Sequence, residues 1–267
     1  MNPIDSLFQR LRSQGRKAFI PFLTAGDPDL AATTRLATVL GRFGDLLEIG
    51  FPYSDPIADG PVIQASYTRA LERGVHIDDI FATVRKFAVP ETPLAAMVSY
   101  SLIHRRGCEK FLEQAQAAGF SGAIVPDLPL EESERLSRLA AQRDFKLIHL
   151  ITPTTPRERA RAIAQRSTGF LYCVSVTGIT GERDRLPSEL LDQLAWLRQQ
   201  TDLPLCVGFG ISRPEHVRTL REVADGIIVG SAFVRHLEKA GSESLDKIAS
   251  AMGELAQSLA TALNPSA

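Results

Sequence analysis

A chain of 267 residues, 44% of them hydrophobic and 23% charged, has ordinary globular composition and enough length for one large core. A net charge of −1, with no basic tail or stripe, argues against a nucleic-acid partner. The first residues lack the pattern of a signal peptide, no apolar run is long enough to span a bilayer, and Cys108, Cys173 and Cys206 are unclustered and without metal-ligand spacing; the expectation is a cytoplasmic protein with reduced thiols and no membrane segment.

Along the chain, residues 2–14 read as an amphipathic helix, followed by a strand, "AFIPFL". Further short, β-rich apolar runs follow: "LLEIG", "LAAMV", "GAIVP", "KLIHLI", "GFLYCV", "LPLCVGFG" and "DGIIVG". Between them lie stretches of helical period, among them 28–43, 105–118, 131–143, 156–167, 187–200 and 214–223. Several open on a helix-start signal, as Pro28 after Asp27 and Pro156 after Thr155. Residues 242–262 read as a closing helix.

Eight apolar strands alternating with helices predict a parallel sheet buried on both faces, and the length suits a (β/α)8 TIM barrel. The rival, an open doubly wound sheet, is marked by a Gly-x-Gly-x-x-Gly turn after the first strand; here that turn is "TAGDPDL". No linker or low-complexity tract divides the chain, so a single barrel domain over 1–267 is expected, with an extra N-terminal helix and additional C-terminal helices.

In such a barrel the carboxyl ends of the strands line the active site. Glu48, in "LLEIG", is then a carboxylate pointing into the barrel mouth, flanked by Leu47 and Ile49. Apolar surroundings raise a carboxyl pKa, and a group tuned that way serves as acid and then base near neutrality. The structural alternative, a buried ion pair, has no partner in any strand interior, because Lys146 opens its strand at the opposite end. Glycine-bearing turns follow the last three strands: "SVTGITGERD", "VGFGIS" and "VGSAFV". Backbone amides in such turns, with a helix start at Ser231, suit a phosphate, which points to Gly181, Gly210, Gly230 and Ser231.

The segments "PFLTAGDPD", "LLEIGFPYSDPIADGPVIQ", "GAIVPDLPLEES", "VTGITG", "VGFGIS" and "GIIVGSAFV", in this order over essentially the whole chain, resemble the tryptophan synthase alpha chain family. The resemblance implies cleavage of indole-3-glycerol phosphate to indole and glyceraldehyde 3-phosphate, no metal or cofactor of its own, and a beta-chain partner in an alpha-beta-beta-alpha tetramer. It implies Glu48 as the proton shuttle and Asp59 as a second acid that holds the indole N–H. It implies Phe22, Tyr100 and Tyr172 around the indole, and Thr180, within the loop 176–186, as a contact to the second acid on closure. Asp55 matches an interface position, or is a loop-turn aspartate.

Two departures from the family pattern stand out. Leu102 occupies the place of a usual Asn near the partner surface, and Val176 and Thr177 replace a polar or basic residue and a small one. The five histidines are scattered, Trp196 is expected to pack a helix on the barrel, and "RERARAIAQR" reads as a solvated helix face. A Schiff-base aldolase is disfavoured because no strand interior carries a lysine. A stand-alone lyase that releases indole and a non-catalytic barrel remain as alternatives.

Overall fold

The computed structural model describes residues 1–57, 59–87, 89, 91–175, 188–208 and 210–265. Its strands are β1 (Ala18–Thr24), β2 (Leu47–Gly50), β3 (Leu94–Met97), β4 (Phe120–Ile124), β5 (Lys146–Ile148), β6 (Leu150–Ile151), β7 (Leu171–Val174), β8 (Leu205–Gly208) and β9 (Gly226–Val229). All observed pairings are parallel, in the order β5-β4-β3-β2-β1-β9-β8-β7-β6. β5 and β6 are the two halves of "KLIHLI" on either side of His149. One half pairs with β4 and the other with β7, so eight staves close the barrel. Each predicted strand is present.

The helices are α1 (Pro3–Ser13), α2 (Leu30–Leu40), α3 (Pro61–Glu72), α4 (Ile77–Val84), α5 (Tyr100–Arg106), α6 (Cys108–Ala118), α7 (Glu134–Gln142), α8 (Arg157–Arg166), α9 (Ser188–Leu197), α10 (Pro214–Leu220), α11 (Ser231–Leu237) and α12 (Leu245–Leu263). The helix expected over 105–118 is broken at Gly107, whose φ of +89° lies outside helical backbone and marks the junction of α5 and α6. The helix expected over 131–143 likewise divides into a 3₁₀ turn, Leu130–Glu132, and α7.

Alternation along the strands separates two apolar layers. Phe19, Leu23, Leu47, Ile49, Ala96, Ala123, Cys173, Val207 and Ile227 face the helices. Ile20, Phe22, Leu46, Ala95, Met97, Ile124, Ile148, Tyr172, Cys206 and Ile228 fill the barrel. The barrel floor is closed by α1, which adds Ile4, Leu7, Phe8 and Leu11 to the inner layer. Small inward residues make room for it: a Cβ on Gly122 would stand 3.0 Å from the Ile4 Cδ1. The Asn2 side chain caps α1 at the Ile4 N–H (2.8 Å) and donates to the Ser121 carbonyl (2.9 Å), and Lys146 pairs with Asp5 (2.6 Å) on the same floor. Lys146 is therefore engaged away from the mouth.

Trp196 packs on the outer layer, with the Arg157 and Arg161 guanidinium groups 5.5 and 5.9 Å from its ring. The α8 face expected to be simply solvated thus partly serves as a lid on that indole.

Candidate active site

Glu48 is the second residue of β2, in register with Phe22 of β1 and Ala95 of β3. Its neighbours Leu47 and Ile49 belong to the outer layer. The expectation that they flank the carboxyl is corrected by strand parity: adjacent side chains on a strand face opposite sides. The apolar environment comes instead from residues of other staves. Glu48 is 1% exposed, and its Oε2 has no hydrogen-bond partner among the described residues. Burial, and then the nearby Asp59 charge, push its pKa up to about 8.

Asp59 reaches this space from the loop after β2. It is buried too, and burial followed by the charge of Asp127 raises its pKa to about 7. The loop is braced from within. The Ile57 N–H donates to the Asp55 carbonyl (2.8 Å), and the Asp59 N–H donates to the Pro56 carbonyl (3.1 Å). Asp55 is exposed and accepts the Ser54 hydroxyl (2.5 Å), while Ile57 beside it is 87% exposed.

Two inward glycines make space for aromatic rings. A Cβ on Gly50, the next inward position after Glu48, would collide with the Phe22 ring at 2.5 Å and lie 2.9 Å from the Tyr67 hydroxyl. A Cβ on Gly208 would collide with the Tyr172 phenol. Phe22 and Tyr172 are therefore held in the inner layer beside Glu48. Tyr100 is not brought there. It opens α5, packs on the outer layer, and its ring lies 5.9 Å from that of His104. Leu102 packs on the same outer layer, so its apolar side chain has a partner within the chain.

The turns assigned to phosphate follow β8 and β9, which are adjacent in the sheet. Gly210 has a φ of +71°, and a Cβ there would lie 3.9 Å from the Ser175 hydroxyl. Gly230 precedes α11, which starts at Ser231. Thr180 and Gly181, with Val176 and Thr177, lie outside the described residues.

Several residues of this region were not singled out from sequence. Asp127, in the "VPDLP" turn after β4, accepts the Ser99 hydroxyl (2.6 Å) and the Tyr100 N–H (2.7 Å), so it ties the turn after β4 to the start of α5. Its place just after a strand is the same signal that marked Glu48. Tyr67 comes from α3 yet is fully buried in the inner layer, 5.7 Å ring to ring from Tyr53. Its spacing from Ile63, four residues earlier, marks a buried helix face but not which layer that face joins. Asp27, 1% exposed, accepts from Arg69 Nε (2.9 Å), Arg69 Nη2 (2.6 Å) and the Ser66 hydroxyl (2.6 Å), and so locks α3 to the turn after β1.

A closed parallel barrel with two buried, electrostatically coupled carboxyls in its interior has the design of a (β/α)8 enzyme working by acid–base chemistry. The model of the family "Tryptophan synthase alpha chain" matches residues 8–264. The tryptophan synthase alpha chain of Rhodopirellula baltica is 51% identical over 263 residues, 95% of each chain. That of Synechococcus elongatus is 51% identical over 248 residues, covering 92% of this chain and 93% of its own. Among solved structures, the alpha chain from Legionella pneumophila is 36% identical with a TM-score of 0.85, covering 98% of both chains. A structure of the tryptophan synthase α2β2 complex from Pyrococcus furiosus aligns at 37% identity and a TM-score of 0.83, over 90% of this chain and 98% of that one. The chain belongs to the tryptophan synthase alpha chain family.

Proposed function

We propose that this enzyme is a carbon–carbon lyase. It cleaves indole-3-glycerol phosphate to indole and glyceraldehyde 3-phosphate, as a single-domain, cytoplasmic alpha subunit working with a tryptophan synthase beta chain. The observation that carries the reaction is the pair of buried carboxyls: Glu48 on β2, 1% exposed, and Asp59 on the loop after it, 4% exposed, share the barrel interior, and burial raises the pKa of both. Two carboxyls in one buried space favour a singly protonated pair, and the mechanism takes Glu48 as the holder of that proton.

That state is the one a retro-aldol cleavage needs. Glu48 gives its proton to the indole carbon that bears the glycerol chain, which leaves a cationic indolenine. Asp59 accepts a hydrogen bond from the ring N–H and balances its charge, a contact strengthened where water is excluded. The Glu48 carboxylate then takes the proton of the adjacent hydroxyl. The carbon–carbon bond breaks, its electrons return to the ring, and the aldehyde forms. One proton leaves Glu48 and one returns, so the enzyme is regenerated. Phe22 and Tyr172 supply flat apolar surface for the ring. The turns at Gly210, Gly230 and Ser231 are assigned the phosphate, and Thr180 and Gly181 are carried over from the family resemblance.

The partner reading is supported by Ile57. A large apolar side chain 87% exposed, on the loop that carries Asp59, is suited to cover by another surface. The decisive assay is indole release from indole-3-glycerol phosphate by the purified chain, with and without a beta chain from the same source. No indole under either condition overturns the proposal, and release that a beta chain leaves unchanged favours the stand-alone lyase.

A further inference from the structure

We propose that Gln64 is a positioning residue for Asp59, an inference that rests on Asp59 as the second catalytic acid. The Gln64 Nε2 donates to the Asp59 carbonyl at 2.8 Å and to the Pro56 carbonyl at 3.2 Å. Both partners are acceptors, so the amide can face them only with its nitrogen, and both of its N–H groups are used. The Pro56 carbonyl also accepts the Asp59 N–H at 3.1 Å. One side chain thereby grips the peptide units on both sides of the tight turn that presents the Asp59 carboxyl.

The grip answers a gap in the local structure. α3 starts from Gly60, which has no side chain to cap the helix. A Ser or Asp cap would normally tie the incoming chain to the first turn. Here Gln64 reaches back from the first turn to the loop instead. It is also mounted on a fixed base, because Ser66 and Arg69 of the same helix are bound to the buried Asp27. A rigid path therefore runs from the turn after β1, through α3, to Asp59. A group that must meet the ring N–H edge-on needs this kind of restraint, since a misplacement of about 1 Å costs roughly 100-fold in rate.

The test compares wild type with Gln64→Ala and with Gln64→Met, which keeps the length and volume but has no donor. Hydrogen–deuterium exchange over residues 54–60 reads the restraint directly. Both variants should exchange the Ile57 and Asp59 amides at least about 10-fold faster than wild type. In turnover of indole-3-glycerol phosphate, kcat should fall by about 10–100-fold, while the dissociation constant of a non-cleavable indole-alkyl phosphate stays within about threefold. A purely structural role would move binding and melting temperature along with rate. Exchange equal to wild type overturns the inference, as does a kcat within about twofold of wild type. If wild type itself releases no indole, the lyase proposal falls, and the exchange measurement still decides whether Gln64 holds this loop.

Discussion

Glu48 shows how one buried carboxyl links chemistry to stability. Glu48→Gln keeps the shape and removes the proton. Loss of an essential general acid costs about 10²–10⁴-fold, so indole release by this variant should fall by that factor in a steady-state assay. The same change has an opposite effect on folding. Glu48 binds its proton up to about 8 in the folded chain and to about 4.5 when unfolded. The folded state holds the extra proton across that window, so stability falls as pH rises through it. Glu48→Gln should therefore melt above wild type at pH 9 and lose that advantage below pH 4.5, which calorimetry across pH will measure. A variant that is less active and more stable at alkaline pH is the signature of a functional group kept at a folding cost. The carboxyl pair also sets the pH profile. In the proposed mechanism the rate falls on the acid side as Asp59, raised to about 7, takes up a proton, and on the alkaline side as Glu48, raised to about 8, loses its own. A plot of kcat/KM against pH should peak between those values, with Glu48 protonated and Asp59 ionised.

Among the elements, α1 and α3 do most to shape the barrel interior from outside the sheet. The first plugs the floor with Ile4, Leu7, Phe8 and Leu11, and the second sends Ile63 and Tyr67 into the same inner layer. The floor depends on the inward face of β4 staying empty at Gly122. A Cβ there would lie 2.9 Å from the Lys146 carbonyl oxygen as well as 3.0 Å from Ile4. Backbone cannot move aside as a flexible side chain can, so Gly122→Ala should destabilise the chain by about 1–3 kcal/mol. Gly241→Ala, where a Cβ would meet nothing within 4 Å, is the comparison that should stay near neutral in urea unfolding. Activity per folded molecule should change little, because Gly122 lies on the floor and the carboxyl pair lies nearer the mouth.

At the scale of the whole molecule, the barrel offers its Asp59 loop outward as well as inward. Asp59 is buried, while Asp55 and Ile57 on the same loop are exposed. A partner seated on the outer side can favour the active arrangement only through contacts better made in that arrangement. A coupling of about 1–3 kcal/mol corresponds to roughly 5–150-fold. Cleavage by this chain is therefore expected to accelerate by a factor in that range as its beta chain is titrated to saturation. Leu102 is half-buried and packs in part on the outer layer of this chain. Ile57→Asp, which puts a charge on the exposed apolar tip, should weaken that activation and leave the unaccelerated rate close to wild type.

The barrel was legible because its evidence is local. Each stave is a short apolar run, each crossover has helical period, and the absence of a dinucleotide turn removes the open-sheet rival. Glu48 was legible for the same reason: a lone acid in an apolar strand stands out without any knowledge of its neighbours. What the linear order could not decide is everything that needs the sheet to close. Leu47 and Ile49 are adjacent to Glu48 in sequence but face the helices, and the apolar walls around the carboxyl come from β1, β3 and β7. Asp59 gains its raised pKa from burial and from Asp127, far along the chain. Tyr67 enters the interior from a helix, whereas Tyr100, which stands next to a strand, turns to the outer layer. Sequence alone determined which residues could form the staves and which acid was out of place among them. Closure of the sheet decided which groups share a low-dielectric space, and only that shared space raises the pKa of both carboxyls.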